Sequence, residues 1–493
     1  MWFQLEWQWG GFDGILAAMN KHTLYIIGIC GTAMAAIAAL AKARGWEVCG
    51  SDAAIYPPMS DYLRAQKIPI FDGFDAARLH HQRPDLVVVG NAISRGNPEL
   101  EAVLDAGWPY TSGAQFVGDH LLPGRHALVV AGTHGKTSTA SLLAHLLEEA
   151  GKQPGFLIGG VAENFAGGAR LGEGADFVLE GDEYDTALFD KRSKFLHYHA
   201  RTLILNNLEF DHADIFDDLA AIQRQFHHLL RTIPSNGVVV LNADDAALAA
   251  VIAQGCWTPC IRFARYAPAP QTGAEAEWQW LPLADDGSAF RLYRDGAPWL
   301  EAEWGMIGLH QVANACAAVA ACVSHGVKQA DLVRGLASFA GVRRRMTLVG
   351  EAAGVQVYDD FAHHPTAIAG VVTAMRAKMD RSGNSGRVWV IIEPRSNTMR
   401  RQIHTTRLPS SLVAADRVIF ARPCDARLND EDLLDVDAIC HAIGSHASAH
   451  IDASAIIAAI SPELLAGDVV LILSNGGFDG IHQRLLQALS SRW

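Results

Sequence analysis

The chain has 493 residues, of which 50% are hydrophobic and 19% are charged, a composition typical of a folded protein with large cores. Its formal net charge of -13 argues against a general binding surface for nucleic acid or anionic membranes. No apolar run approaches the roughly 18 residues of a membrane span, and none of the eight cysteines forms a C-x-x-C pair. We therefore expect a cytoplasmic protein with reduced thiols and, from its length, about three domains.

Residues 1–18 have neither the basic start nor the apolar core of a signal peptide, and they fit no element of the first domain. A second methionine, Met19, lies just before the first predicted strand. We expect a mis-assigned start or a loose extension here.

Strands and helices alternate between residues 19 and 124, which predicts a Rossmann-like first domain with a parallel sheet covered on both faces. The stretch "GICGTA" follows the first strand and opens a helix, and Asp52 ends the next strand. This layout suits a diphosphate at a helix N-terminus. The glycine spacing is G-x-x-G, not G-x-G-x-x-G, so a tight turn without a ligand and a nicotinamide-dependent dehydrogenase are alternatives at this point.

The stretch "LVVAGTHGKTSTA", residues 128–140, predicts a phosphate-binding loop between a buried strand and a helix. Its glycines would let the backbone wrap an anion, Lys136 supplies a positive charge, and Thr137 supplies an oxygen for Mg²⁺. The usual first glycine is replaced by Val130, which indicates a shorter loop than the common one.

Acidic residues follow two further strands of the same predicted sheet. Glu180 ends one strand in "VLEGDEYD", and Asp211 and His212 follow the next in "NNLEFDHAD". Because ligands gather at the carboxyl ends of parallel strands, these side chains are candidate Mg²⁺ ligands, although exposed acidic residues are often only solvated. Histidine is an unusual ligand for Mg²⁺, so His212 suggests a second, differently coordinated ion.

The rest of the chain predicts antiparallel hairpins at 278–304, a helix at 311–326 and a third α/β unit after the linker "FAGVRRRM". The central domain, 125–341, is thus a P-loop ATPase-like parallel sheet with a hairpin region, and 342–493 is a Rossmann-like C-terminal domain. Two polar loops follow strands of the last domain, "DDFAHHPTA" and "EPRSNTMRR". The arginines of the second loop suit carboxylates, although either loop could be merely solvated.

The ordered stretches "GTHGKTSTA", "EGDEYD", "NNLEFDHAD", "GLHQVANACAA", "GVRRRM" and "DDFAHHPTA" resemble the motifs of the Mur ligases of peptidoglycan synthesis. The resemblance covers nearly the whole chain from about Met19. Within the family, "GSDAAIYPPMS", "AISRGNPELEAVLD" and "EPRSNTMR" are most similar to the branch that takes a peptide as its amine substrate.

The resemblance implies an ATP- and Mg²⁺-dependent amide ligase of peptidoglycan recycling. It would join the lactoyl carboxylate of UDP-N-acetylmuramate, through an acyl phosphate, to the amine of the murein tripeptide L-Ala-γ-D-Glu-meso-diaminopimelate. It also implies small-molecule partners only, with no nucleic acid or membrane, and a monomer or weak homodimer. The branch that adds free L-alanine to the same UDP-sugar is the alternative, and a non-catalytic nucleotide-binding regulator is a third class.

The resemblance also implies roles for individual residues. Lys136, Glu180 and His212 would be catalytic, with Thr137, Glu180 and His212 as the metal ligands. The remaining assignments are ATP binding by Gly132, Thr133, His134, Gly135, Lys136, Thr137, Ser138, Asn314, Arg345 and Asp360, UDP-sugar binding by Gly31, Thr32, Ser51, Asp52, Ser94 and Asn97, and peptide binding by Arg395, Ser396 and Asn397.

The sequence departs from the family pattern at two places. Several members carry a carbamoylated lysine where this chain has His227, and the adenine motif often begins His-Asn where this chain has His310 and Gln311. The base for the incoming amine is not evident, and His363 or His364 is a candidate.

Overall fold

A computed structural model describes residues 22–267, 276–424 and 429–491. The expectation for residues 1–18 lies outside the described residues. Within them, no helix combines the length and apolar character needed to cross a membrane.

Three sheets organise the described chain. The strands are β1 Thr23–Ile27, β2 Glu47–Asp52, β3 Ile70–Asp72, β4 Leu86–Val89, β5 Tyr110–Ser112, β6 His126–Ala131, β7 Gly155–Leu157, β8 Ala169–Arg170, β9 Asp176–Gly181, β10 Thr202–Leu205, β11 Val238–Asn242, β12 Cys260–Arg265, β13 Trp278–Pro282, β14 Ala289–Arg294, β15 Ala297–Glu303, β16 Thr347–Ala352, β17 Val355–Asp360, β18 Val388–Ile392, β19 Arg417–Ala421, β20 Ala447–His450 and β21 Val469–Leu473.

Helices connect most of these strands. They are α1 Thr32–Ala43, α2 Met59–Ala65, α3 Ala76–Gln82, α4 Pro98–Ala106, α5 Gly113–Phe116, α6 Lys136–Glu149, α7 Leu219–Leu230, α8 Ala246–Ala253, α9 Leu309–Ser324, α10 Gln329–Ser338, α11 Pro365–Ser382, α12 Leu408–Ser411, α13 Val436–Ile443, α14 Ala453–Ile460 and α15 Ile481–Ser490.

The strand orders confirm the predicted three-part α/β architecture. The first sheet has the order β3-β2-β1-β4-β5 and is parallel throughout. The second has ten strands, β15-β14-β13-β12-β11-β10-β6-β9-β7-β8. The predicted hairpins are its antiparallel β13-β14-β15 end. The third, β16-β17-β21-β18-β19-β20, is parallel except for its edge strand β16.

Contacts divide the chain into two compact units. The N-terminal unit runs to Phe116 and includes Ala187–Phe189, and the larger unit contains the second and third sheets. The domain boundaries at 124 and 341 stay a prediction.

The apolar clusters on the two faces of the third sheet follow from the alternation of side chains along its strands. In β18, Val388, Val390 and Ile392 pack into one apolar cluster of the third sheet, and Trp389 and Ile391 pack into another. Because successive side chains point to opposite faces, this pattern shows helices covering both faces of the sheet.

Candidate active site

The predicted phosphate loop joins β6 to α6 and requires glycine at both ends. Gly132 and Gly135 have φ of +143° and +79°, values that side chains with a Cβ rarely adopt. A Cβ at Gly135 would also lie 2.7 Å from Oδ1 of Asn314. No side chain caps α6, so the amide groups of its first turn, which includes Thr137 and Ser138, are available to an anion.

The segment after β10 fixes the shape of this loop. The amide of Thr133 donates to the carbonyl of Asn207 at 3.1 Å, and the amide of His134 donates to Oδ1 of Asn207 at 2.7 Å. The Thr133 hydroxyl donates to the carbonyl of Glu209 at 3.1 Å. The loop is therefore held in place by backbone and amide groups before any ligand binds, which reduces the entropy lost on binding.

Lys136 is held by a carboxylate that the sequence analysis did not assign. Its Nζ donates to the Gly132 carbonyl and to Oε2 of Glu183, both at 2.8 Å. Nε2 of His212 lies 3.1 Å from Oε1 of the same carboxylate, which is only 2% exposed. Glu183 thus bridges two predicted catalytic residues.

Electrostatics favour the charged forms of this triad. Burial opposes the ionisation of Glu183, but Lys136 and His212 outweigh it and lower the pKa of the carboxyl to about 2. Burial likewise opposes the charged forms of Lys136 and His212, yet the carboxylate of Glu183 raises the pKa of both groups. A positive charge is therefore fixed beside the phosphate loop.

Glu180 and Thr137 lie together, as a shared metal ion would require. The Thr137 hydroxyl is close enough to Glu180 to favour its charged form, and the amide of Gly159 donates to Glu180 Oε1 at 2.9 Å. Burial and the negative charge of Asp182 raise the pKa of Glu180. Crowded carboxylates with hard oxygen donors suit Mg²⁺, so these residues fit the implied ion. His212, the third predicted ligand, pairs with Glu183 instead.

The predicted nucleotide residues beyond the loop fall into two groups. Asn314 on α9 lies against Gly135, and Asn206 Nδ2 donates to its Oδ1 at 3.4 Å. Asp360 is 3% exposed and accepts from the amides of Met346 and Ala362, both at 2.7 Å. Burial raises its pKa. Its carboxylate therefore shapes the end of the linker.

Arg345, the remaining predicted nucleotide residue, lies in the linker. Its guanidinium stands 5.1 Å from the ring centroid of Phe361. Its positive charge acts on Asp360 and on His310 of α9. The linker thus places the positive charge of Arg345 near the start of α9, the helix that also contains Asn314.

The predicted peptide loop contacts the His212 segment. Asn397 Nδ2 donates to Oδ2 of Asp214 at 2.8 Å, two residues beyond His212. Ser396 Oγ accepts the amide of Met399 at 3.1 Å, and the exposed Arg395 lies 3.5 Å from Glu393. Two of the three predicted residues thus already hold the loop, and Arg395 keeps most of its donors available.

In the N-terminal unit, the predicted UDP residues surround the first turns of α1 and α4. Gly31 and Thr32 are exposed at the start of α1, which has no side-chain cap. Asp52 accepts the amide of Cys30 at 2.8 Å and shapes this turn. The exposed Ser94 precedes Asn97, which caps α4 by accepting from two of its amides.

Ser51 differs from these residues because it is fully buried. Its hydroxyl donates to Glu99, a carboxylate that also accepts from Tyr25 at 2.8 Å. The structure therefore gives Ser51 a supporting position behind the turn.

Comparison with known proteins gives three family matches in succession. The Mur ligase family catalytic domain matches residues 23–124, the Mur ligase middle domain matches 130–322, and the Mur ligase glutamate ligase domain matches 344–476.

Individual proteins match along nearly their whole length. The chain is 46% identical over 471 residues to the UDP-N-acetylmuramate–L-alanyl-gamma-D-glutamyl-meso-2,6-diaminoheptandioate ligase of Escherichia coli, covering 95% of this chain and 98% of that protein. It is 34% identical over 482 residues to the UDP-N-acetylmuramate–L-alanine ligase of a Nocardioides species, covering 97% and 98%. The crystal structure of a murein peptide ligase from Psychrobacter arcticus superimposes with a TM-score of 0.71 at 42% identity, covering 95% and 99%. The chain therefore belongs to the Mur ligase family.

Proposed function

We propose that this protein is an ATP-dependent ligase that joins the lactoyl carboxylate of UDP-N-acetylmuramate to the L-alanine amine of L-Ala-γ-D-Glu-meso-diaminopimelate, in peptidoglycan recycling. The observation that carries the proposal is 46% identity, over nearly the full length of both chains, to a ligase named for that pair of substrates. The identity to the cited L-alanine ligase is 34% over a similar length.

The first chemical step would move the γ-phosphate of ATP to the lactoyl carboxylate. This step brings two anions together, so catalysis depends on neutralisation and alignment rather than on a protein nucleophile. Lys136 is the residue positioned for this role, because Glu183 and the Gly132 carbonyl direct its ammonium group along the phosphate loop.

The second step would be attack of the L-alanine amine on the acyl phosphate, with release of phosphate. Thr137 and Glu180 would hold Mg²⁺, whose charge would offset that of the phosphate oxygens. His212 pairs with Glu183 through Nε2 and so stabilises the carboxylate that positions Lys136, and a second ion would be held through its other ring nitrogen, Nδ1.

The two substrates would each be bound by a loop suited to their charge. The exposed amides at the start of α1 suit the diphosphate of the UDP-sugar. The guanidinium of Arg395 suits a carboxylate of the tripeptide. These assignments rest on the local geometry of each loop.

The test is phosphate release from ATP and UDP-N-acetylmuramate with either the tripeptide or free L-alanine as the amine. We expect kcat/KM to be at least about a hundredfold higher with the tripeptide, because differential transition-state binding sets specificity. Equal or better turnover with L-alanine would establish the alternative, an L-alanine-adding ligase. Lys136→Ala supplies the control, since phosphate release that survives this change comes from another enzyme.

A further inference from the structure

Beside the phosphate loop lies a group of three side chains, of which the sequence predicts His134 as an ATP-binding residue and His364 as a candidate base. His134 belongs to the loop, Glu209 follows β10, and His364 caps α11. One donor atom from each lies within 4.8 Å of the other two. We propose that these three residues form a binding site for a divalent transition-metal ion of the Zn²⁺ class, separate from the Mg²⁺ site at Thr137 and Glu180.

The donor atoms converge on one carboxylate. Nε2 of His134 is 3.8 Å from Oε1 of Glu209, and Nδ1 of His364 is 3.8 Å from Oε2. Two imidazoles and a carboxylate are a common ligand set for Zn²⁺, with bonds of about 2.0–2.2 Å. Ligands of a tetrahedral ion lie a little over 3 Å apart, so small side-chain rotations would close the site.

The ring nitrogens of His134 and His364 have few hydrogen-bond partners. Nε2 of His134 is buried and accepts or donates no hydrogen bond. His364 is 1% exposed, and its Nε2 has no hydrogen-bond partner, whereas its Nδ1 accepts the amide of Thr366 at 3.3 Å, a long bond that a metal ion at Nδ1 would replace. Buried polar atoms without partners are costly, and a metal ion would satisfy them.

A third imidazole lies behind the first two. His404 is 2% exposed, and neither of its ring nitrogens has a hydrogen-bond partner. Its ring centroid is 4.8 Å from that of His364, which in turn is 4.6 Å from that of His134. The nitrogens of His404 are not among the donor atoms that lie within 4.8 Å of one another, so this ring packs against the proposed ligand His364.

The surroundings orient the carboxylate and balance the charge. Thr366 donates its hydroxyl to Glu209 Oε2 at 2.8 Å, and Arg407 donates to the same oxygen at 3.2 Å. These bonds hold the carboxylate so that Oε1 faces His134. Groups around a metal site commonly orient its ligands in this way. Asp211 adds a second negative charge close to the imidazoles, and the positive charges of Lys136 and Arg407 act on them as well.

The site would connect the second and third sheets of the larger unit. His134 and Glu209 belong to segments of the second sheet, whereas His364 and His404 belong to segments of the third. A bound ion would therefore hold these parts together and raise the unfolding temperature.

Metal-free, untagged full-length protein should be titrated with Zn²⁺ by calorimetry and with Co²⁺ by visible absorption, each in excess Mg²⁺. We expect one ion per chain, a Co²⁺ spectrum of nitrogen and oxygen ligands, and a higher unfolding temperature with Zn²⁺. Glu209→Gln and His364→Ala should each weaken binding at least about tenfold. His228→Ala, which removes an exposed imidazole on α7, should leave binding unchanged.

The opposite pattern would overturn the proposal. No binding by the wild-type protein, unchanged binding in both cluster variants, or loss of binding in Glu180→Gln alone would each exclude this site. If His364→Ala fails to fold, Glu209→Gln decides the question, because it preserves shape. These binding measurements use neither ATP nor UDP-sugar, so they are independent of the proposed ligase activity.

Discussion

At the scale of single residues, the main finding is the double role of Glu183. The stretch "EGDEYD" contains four acidic residues within six positions, and its pattern alone does not show which one faces the phosphate loop. The structure shows that Glu183 contacts Lys136 and His212, whereas Glu180 accepts the amide of Gly159 and lies close to Thr137. The sequence predicted Lys136 as a catalytic residue but did not predict its contact with Glu183, because that contact depends on how the chain turns after β9.

Glu183→Gln should lower kcat more than it raises KM for ATP. The amide cannot neutralise Lys136 and His212, so the ammonium group loses its fixed position. We expect kcat to fall at least about tenfold, equivalent to about 1.4 kcal/mol, and stability to fall by about 3 kcal/mol because a buried charge loses its partner. Steady-state phosphate release and urea unfolding measure the two effects.

Glu183→Asp should recover part of both losses, since it keeps the charge. Glu173→Gln, at an exposed position, is the matched control and should behave as the wild type. An equal loss in both glutamine variants, or wild-type kcat in Glu183→Gln, would exclude the positioning role.

At the scale of elements, the sequence predicted the strands and helices well wherever apolar runs met clear caps. The α4 helix begins after Asn97 and ends at Gly107, as its cap residues indicate. The predicted hairpins also form, since their DDG and RDG turns separate alternating strands. The edge strand β16 was not predicted, because this short stretch has no buried residue and is stabilised by pairing with β17.

The phosphate loop allows a test of its backbone requirement. Gly135→Ala would combine a positive φ with a Cβ 2.7 Å from Asn314, so the loop would have to shift. We expect ATP affinity to fall at least about tenfold, measured by calorimetry. Gly124→Ala has a similar φ of +80° but open space around it, so it should cost about 1 kcal/mol of stability and leave ATP affinity unchanged. Equal affinities in both variants would contradict the steric account.

The stability of the fold should depend on pH through a pair of histidines, His126 at the start of β6 and His325 at the end of α9. The rings of His126 and His325 are 4.4 Å apart, and His325 pairs with Asp176. Burial, followed by the charge of His325, lowers the pKa of His126 to about 4. The ordinary pKa of histidine is about 6.5. The stability that neutral His126 contributes to the fold is therefore fully present above pH 6.5 and is lost as the pH falls towards 4.

His126→Gln should therefore reduce the acid sensitivity of the fold. Between pH 7 and pH 5, the wild type should lose about 2 kcal/mol more free energy of unfolding than the variant. Urea titrations followed by tryptophan fluorescence at both pH values measure the difference. His228→Gln should retain the wild-type pH dependence, and identical losses in wild type and His126→Gln would rule out the buried imidazole as the cause.

At the scale of the whole molecule, each of the three sheets carries predicted binding residues in its loops. The sequence predicted the sheets and the motifs at their carboxyl ends, because these depend on local periodicity and turn residues. It did not predict that His134, Glu209 and His364 lie together, since these residues are separated by 75 and 155 positions. Such proximity is set by the packing of the second and third sheets.

The central claim is that the amine substrate is a peptide rather than a single amino acid. The most direct measurement is a competition in which the protein receives ATP, Mg²⁺ and UDP-N-acetylmuramate with equal concentrations of tripeptide and L-alanine, and the products are separated by mass. We predict that the UDP-N-acetylmuramoyl tripeptide exceeds the alanyl product by at least about a hundredfold. Predominance of the alanyl product would contradict the claim.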